Sequence, residues 1–181
     1  MTTKPTIRVR PFRDEDGDQV RRLFVDNVGI VDDSETARKL WPEYIRKSLE
    51  TDLRDIAAWY QAPGGNFWVA TATSEDPAVS EKVVGIVALQ LTSASPKHGE
   101  IRRVFIDRKY HRLGIGSKLM DALESWTKLN GFEKLELATN ADNTRSIGFY
   151  LALGYSRDPD NGETFWDEPK YMPLAFFSKK L

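Results

Sequence analysis

The chain has 181 residues, of which 40% are hydrophobic and 29% charged, and its formal net charge is −1. This composition is typical of a globular protein with one substantial core, and the near-neutral charge gives no indication of binding to nucleic acid. The chain contains no cysteine, which excludes disulfides, thiolate nucleophiles and thiolate metal sites.

The first ten residues lack the apolar region of a signal peptide, and no run is as long and apolar as a membrane-spanning helix. We therefore expect a soluble, cytoplasmic protein with no membrane partner. His98 and His111 are the only histidines and are not at ligand spacing, so we also expect no metal site.

The spacing of apolar residues predicts strands and helices in the order β-α-α-β-β-β-α-β-α-β-β. The second helix is predicted over residues 42–60, because apolar residues recur every three or four positions. Pro42 is tolerated at its start and the run APGG ends it. The order predicts a mixed sheet with one strand–helix–strand crossover. The predicted elements cover residues 6–10, 14–28, 42–60, 66–73, 82–92, 99–107, 115–130, 133–139, 143–153, 154–158 and 170–177.

The predicted strand GEIRRVFID changes the parity of its apolar residues. Ile101 has one parity, whereas Val104 and Ile106 have the other. A strand with one buried face keeps a single parity, so we predict a β-bulge near Arg102 and Arg103. Bulges are frequent next to active sites.

The run HRLGIGSKLM places Gly114 and Gly116 between a predicted strand and a predicted helix. The first N–H groups of a helix lack internal partners, and glycine allows an anion to approach them closely. Neither the dinucleotide fingerprint nor the phosphate-loop pattern is present. Taken alone, this motif is either a phosphate-binding turn or a tight connection without a ligand.

The segment from Glu100 to Tyr155 resembles the GNAT superfamily of acyl-CoA-dependent N-acyltransferases. In order, it contains the bulged strand EIRRVFID, the turn HRLGIG, the strand KLELAT, the helix NTRSIGFY and the pair GY. The resemblance implies one α/β domain over residues 1–181, with a mixed, mostly antiparallel sheet of about seven strands flanked by helices. Residues 100–155 would form the central strand–helix–strand cofactor unit, and residues 28–65 and 156–170 would lie on the acceptor side.

The resemblance also implies that acetyl-CoA is the cofactor. The backbone of residues 104–106 would pair with the pantetheine arm, and the turn at 111–117 would hold the diphosphate. His111 stands where the family usually has Gln or Arg, and Ser146 where Ala is common; the first difference leaves the backbone N–H groups intact. The expected cofactor residues are Val104, Phe105, Ile106, His111, Arg112, Leu113, Gly114, Ile115, Gly116, Ser117, Asn143, Ser146 and Tyr150.

Acyl transfer from a thioester to an amine requires a neutral amine, a stabilised oxyanion and a proton for the leaving thiolate. The resemblance assigns Tyr150 as the acid and Glu100 as the base. A backbone N–H between Val104 and Ile106 would stabilise the oxyanion. Each side chain has a plainer alternative, since Tyr150 fits a core tyrosine and Glu100 fits a solvated carboxylate.

Acidic and aromatic residues on the acceptor side could attract a cationic amine, although ordinary polar loops anchored by aromatic residues have the same composition. These residues are Asp32, Asp33, Glu35, Trp41, Glu163, Phe165, Trp166, Asp167 and Glu168.

The favoured function is N-acetyl transfer, by direct attack in a ternary complex, to a primary amine of a small metabolite, a xenobiotic, a peptide or a protein. The alternatives are a non-catalytic acyl-CoA-binding module and binding of a different nucleotide. The sequence leaves the oligomeric state open, with a homodimer as one option.

Overall fold

A computed structural model describes residues 5–29, 35–73, 81–159 and 173–181. Short 3-10 turns precede α1 and follow β4. The order of the strands and α-helices agrees with the predicted order. They are β1 (Ile7–Pro11), α1 (Gly17–Val28), α2 (Glu35–Glu50), β2 (Asn66–Thr73), β3 (Glu81–Thr92), β4 (Ser95–Ile106), α3 (Ile115–Leu129), β5 (Lys134–Asn140), α4 (Thr144–Ala152), β6 (Ser156–Asp158) and β7 (Leu174–Lys180).

The strands form a seven-stranded sheet in the order β1-β2-β3-β4-β5-β7-β6. Every neighbouring pair is antiparallel except β4 and β5, which run parallel and are connected through α3. The predicted fold class, a mixed and mostly antiparallel sheet flanked by helices, is therefore confirmed.

Helices cover both faces of the sheet. On one face, α3 buries Ile115, Leu119 and Leu123 against apolar side chains of the central strands. On the other face, α1 and α2 bury a second apolar cluster that includes Phe24 and Trp41. None of the described helices combines the length and the apolarity that crossing a membrane would require.

The prediction of one helix over residues 42–60 is wrong in extent. The helix α2 begins seven residues earlier, contains Pro42 in its interior and ends at Glu50, and a separate π-helix spans Ala57–Gln61. The chain leaves α-helical geometry where the Leu53 N–H donates to the Ser48 carbonyl, five residues back. The apolar spacing continues across this break because the side chains on both sides of it pack into one cluster.

The predicted β-bulge in β4 is present. Phe105 pairs with Ile86 of β3 and Arg102 pairs with Ala88, so β4 has one residue more than β3 between these pairs. Arg103 lies in this interval with a φ of 55°, in the left-handed region that side chains other than glycine rarely adopt. The parity change in the sequence is therefore explained by the extra residue.

Strands β4 and β5 pair over only part of their length. The described ladder joins His98–Glu100 to Lys134–Glu136, whereas β5 pairs with β7 from Lys134 to Asn140. Beyond Glu100, β4 therefore has no ladder pairing with β5 within the described ranges. The strand retains an edge with backbone groups available on that side.

Arg103 forms a buried ion pair with Asp52. The Arg103 Nε and Nη2 atoms lie 2.9 and 2.6 Å from the two carboxylate oxygens. The guanidinium also donates to the Ser48 and Tyr44 hydroxyls, and Asp52 accepts a hydrogen bond from the Tyr60 hydroxyl. Burial alone would raise the pKa of Asp52, but the charge and hydrogen bonds of Arg103, with the bond from Tyr60, lower it below its ordinary value.

Replacement of Gly85 by alanine should lower the free energy of unfolding by about 1–3 kcal/mol, because the core above Gly85 is already filled. A Cβ at Gly85 would lie 2.9 Å from Ile115 Cγ2 and 3.1 Å from Leu119 Cδ1. The matched control is Gly148→Ala in α4, where a Cβ meets nothing within 4 Å. This control should raise stability by about 0.5–1 kcal/mol through helix propensity. Urea unfolding measures both, and equal stability of the two variants would contradict the packing argument.

Replacement of Asp52 by asparagine should lower stability at neutral pH by about 3–5 kcal/mol, because it leaves the buried Arg103 charge without its carboxylate. The pKa of Asp52 is lower in the folded than in the unfolded protein. Its contribution is therefore present above the unfolded value of about 4 and is lost as the pH falls through the folded value. The variant should accordingly show a shallower acid-side loss of stability than the parent. Urea unfolding between about pH 3 and pH 7 tests this, and parallel curves would contradict it.

Candidate functional site

A cavity of about 540 Å³ opens beside the part of β4 beyond Glu100, between the turn that follows β4 and the starts of α3 and α4. All the residues expected to bind the cofactor line this cavity, except Leu113. Asn27, Tyr110, Arg145 and Phe149 complete its described lining. The fold thus brings together residues from three separate stretches of the sequence. We refer to this space as the larger cavity.

The turn before α3 presents backbone N–H groups to the larger cavity. Arg112 and Gly114 have φ values of 65° and 71°, and α3 begins directly after Gly114. The N–H groups of Ile115, Gly116 and Ser117 are the first of the helix, and no side chain caps them. Within the described ranges these groups donate to no protein acceptor. Such an arrangement favours an anion, because the helix dipole adds partial positive charge at the same place.

His111 ties this turn to the end of β4. Its Nε2 atom lies 3.1 Å from the carbonyl oxygen of Ile106. A carbonyl only accepts hydrogen bonds, so Nε2 carries the proton in this contact. The histidine that replaces the family's usual Gln or Arg therefore has a structural role in the turn, which the sequence analysis did not anticipate.

The start of α4 forms another part of the wall. Asn143 caps the helix, with its Oδ1 atom accepting a hydrogen bond of 3.0 Å from the Ser146 N–H. Both residues line the larger cavity, as the resemblance implied. The cap fixes the direction in which α4 enters the site.

Tyr150 is buried in α4, with its ring packed against Phe149, Tyr155 and Phe177. Its hydroxyl makes no hydrogen bond to any residue that the structure describes. Burial raises the pKa of Tyr150 above its ordinary value, so the hydroxyl is protonated at neutral pH. The side chain is thus both part of the core and part of the cavity wall, and the two interpretations of the sequence do not exclude each other.

A smaller cavity of about 160 Å³ adjoins the larger one, and Val104, Phe105, Asn143, Ser146 and Tyr150 line both. It lies where β4 and β5 diverge and is closed on one side by Val28 of α1, and by Trp41 and Tyr44 of α2. Tyr150 therefore stands at the junction of two compartments.

The described lining of the smaller cavity contains Arg102 and Arg103 but no aspartate or glutamate. Among the acidic and aromatic residues expected on the acceptor side, Trp41 is found in this wall. Glu35 is exposed at the start of α2 and pairs with Lys39. Asp32, Asp33, Glu163, Phe165, Trp166, Asp167 and Glu168 lie outside the described residues.

Tyr44 belongs to the same wall and was missed by the sequence analysis. It follows Trp41 by three positions, so the two rings share one face of α2 and lie 5.8 Å apart between centroids. The spacing of three residues indicates that Trp41 and Tyr44 share a helix face. It is not apparent from the predicted helix, which begins at residue 42 and so excludes Trp41.

Glu100 lines neither cavity. It is buried in β4, opposite Gln90 of β3 and Glu136 of β5. Arg102 occupies the same face of β4, lines the smaller cavity and donates a 2.7 Å hydrogen bond to the Gln90 side chain. The predicted base is therefore close to the site along the strand but is not part of either described wall.

Comparison with known proteins identifies relatives over most of the chain. Residues 34–155 match the family described as the acetyltransferase (GNAT) family. The N-acetylaspartate synthetase of Danio rerio is 32% identical over 122 residues, covering 67% of this chain and 40% of that protein. The human N-acetyltransferase 8 is 28% identical over 134 residues, covering 72% of this chain and 55% of that protein. The chain thus spans about half the length of these relatives.

Solved structures share the fold over nearly the whole chain. The PaiA N-acetyltransferase from Thermoplasma acidophilum, in complex with coenzyme A, aligns with a TM-score of 0.77 and 19% identity over 97% of this chain and 99% of that one. A GNAT family acetyltransferase from Staphylococcus aureus aligns with a TM-score of 0.74 and 18% identity over the same shares. From the matched segment and the shared fold together, it follows that this chain belongs to the GNAT family of acetyltransferases.

Proposed function

We propose that the protein is an N-acetyltransferase, which transfers the acetyl group of acetyl-CoA to a primary amine by direct attack in a ternary complex. The observation that carries the proposal is the position of Tyr150. Its protonated hydroxyl lies where a cavity that contains the uncapped start of α3 meets a second cavity. Family membership and the names of the relatives support the same activity.

The larger cavity is the proposed site of acetyl-CoA. The N–H groups at the start of α3 would bind the diphosphate, and Arg112 and Arg145 in the same lining would add positive charge. The open edge of β4 offers backbone groups to the amides of the pantetheine arm, in the manner of an added strand. The solved complex of a neighbour with coenzyme A supports this choice of ligand.

In the proposed reaction the amine nitrogen attacks the thioester carbonyl, the C–S bond breaks and the sulfur receives a proton. Tyr150 is the proposed donor of that proton. A backbone N–H of the bulged segment, at Val104 to Ile106, would donate to the oxyanion. Glu100 is the proposed acceptor of the amine proton, and because it lines neither cavity, the proton would reach it through water.

The smaller cavity is the proposed site of the acceptor. Trp41 and Tyr44 provide aromatic surface, and the described lining contains Arg102 and no carboxylate, while the guanidinium of Arg103 is already paired with Asp52. A relative whose name specifies an acetylated acidic amino acid, N-acetylaspartate synthetase, is consistent with such a lining. Acidic amino acids therefore belong in the first panel of amines to be assayed, together with neutral amino acids, simple alkyl amines and short peptides.

Replacement of Gly114 by alanine should weaken coenzyme A binding about five- to tenfold, because the left-handed turn that orients the N–H groups becomes strained. A Cβ there meets nothing within 4 Å, so the effect is purely conformational. Gly131→Ala is the matched control. Gly131 has a φ of 75°, an equally open environment and a position beyond the opposite end of α3. Calorimetry should give unchanged affinity for the control, and equal losses in both variants would argue against the turn as the binding site.

Replacement of Tyr150 by phenylalanine should lower kcat about a hundredfold or more, with little change in KM for acetyl-CoA, because the thiolate loses its proton donor. Thiol release from acetyl-CoA with the amine panel measures the rates. Tyr155→Phe is the control, since the Tyr155 hydroxyl donates to Glu124 and Tyr155 lines neither cavity.

Tyr155→Phe should retain its kcat even if its stability falls. Binding of coenzyme A without thiol release for any amine would overturn the enzymatic assignment and favour a binding module.

A further inference from the structure

The backbone of Arg103 requires an explanation, because a long side chain at a φ of 55° is strained. Such conformations persist only where the surrounding structure holds them, and they are concentrated at functional sites. Arg103 lies in the bulge, directly before the residues that line both cavities. What holds Arg103 therefore also determines the direction of the strand at the site.

The polar groups that hold Arg103 come from the segment 28–65, which is expected on the acceptor side. Asp52 binds Nε and Nη2, Ser48 binds Nη2 at 3.0 Å, and Tyr44 binds Nη1 at 2.8 Å. The rings of Phe24 and Tyr44 lie 4.9 and 5.4 Å from the guanidinium carbon. The guanidinium is thus fixed from α1, from α2 and from the turn after α2.

A buried ion pair is weak evidence for a purely stabilising role. Removing two charges from water is costly, and apolar side chains of similar volume often replace such a pair without loss of stability. Asp52 and Arg103 are both almost completely excluded from solvent. The geometry that the pair imposes is therefore a better reason for its presence than the stability it provides.

We propose that Asp52 and Arg103 are positioning residues, whose ion pair holds the bulge of β4 so that the backbone from Val104 to Ile106 faces acetyl-CoA and the reacting carbonyl. This inference rests on the proposed function. It adds that the oxyanion-binding geometry is set by an ion pair outside the larger cavity, since Asp52 lines neither cavity and Arg103 lines only the smaller one.

Two double variants separate positioning from stability. Asp52→Leu with Arg103→Met replaces the pair by apolar side chains but leaves a strained residue without its partners. Asp52→Leu with Arg103→Gly leaves a cavity but supplies a residue that adopts a φ of 55° freely. The methionine variant should be the more stable of the two in urea. It should nevertheless have a kcat about a hundredfold below the parent, with a smaller change in KM for acetyl-CoA. The glycine variant should be less stable yet at least about tenfold faster than the methionine variant.

The inference is overturned if activity follows stability, with the methionine variant as fast as the parent or faster than the glycine variant. Should either double variant not fold, Asp52→Asn is compared with Asp16→Asn. Asp16 is the carboxylate of another largely buried pair, with Arg10, and neither residue belongs to the described lining of either cavity. We expect kcat to fall at least about tenfold for Asp52→Asn and less than about twofold for Asp16→Asn; similar losses would refute positioning.

If the parent protein releases no thiol with any amine, the proposed function fails by itself. The same variants are then compared by calorimetry with coenzyme A. A lowered affinity in the methionine variant that glycine restores would support positioning of the strand, and equal affinities would refute it.

Discussion

Strand β4 carries one residue more than β3 between Arg102 and Phe105, and it must bend to accommodate that residue. Its ladder with β5 stops at Glu100, so the sheet opens where the strands would otherwise continue side by side. The open edge, the cavity beside it and the meeting of two cavities at Tyr150 all depend on this bend. The proposed chemistry uses backbone groups that would be hydrogen-bonded to β5 if the two strands paired along their whole length.

Most of the fold could be predicted from the sequence because its signals are local. Alternation and helical spacing gave the order of elements, and the parity change in GEIRRVFID located the bulge. The predicted extent of the second helix was wrong because apolar spacing indicates which side of the chain is buried. It does not indicate whether the helical hydrogen bonds continue without a break. The helix α2 ends at Glu50, but the apolar side chains before and after this point pack into the same cluster.

The candidate site could also be predicted only in part. The expected cofactor residues belong to motifs that are each continuous in the sequence between Val104 and Tyr150, and the fold gathers all but Leu113 around one cavity. The proposed acceptor side depends on contacts between distant segments, which spacing alone does not reveal. Tyr44, Ser48 and Asp52 recur every four residues and all bind Arg103. The sequence shows that these three polar side chains have the spacing of one helix face, but it does not show that Arg103 is their partner. Placing Glu100 required knowing which face of β4 meets the cavities.

Five residues line both cavities, among them Val104, Phe105 and Tyr150. Two molecules bound in these cavities would touch the same side chains, so a shift of a shared side chain for one molecule would alter the fit of the other. Thermodynamic linkage then requires that the first molecule change the affinity of the second by the same factor as the second changes that of the first. Occupancy of one cavity would thus set the concentration at which the other is half filled.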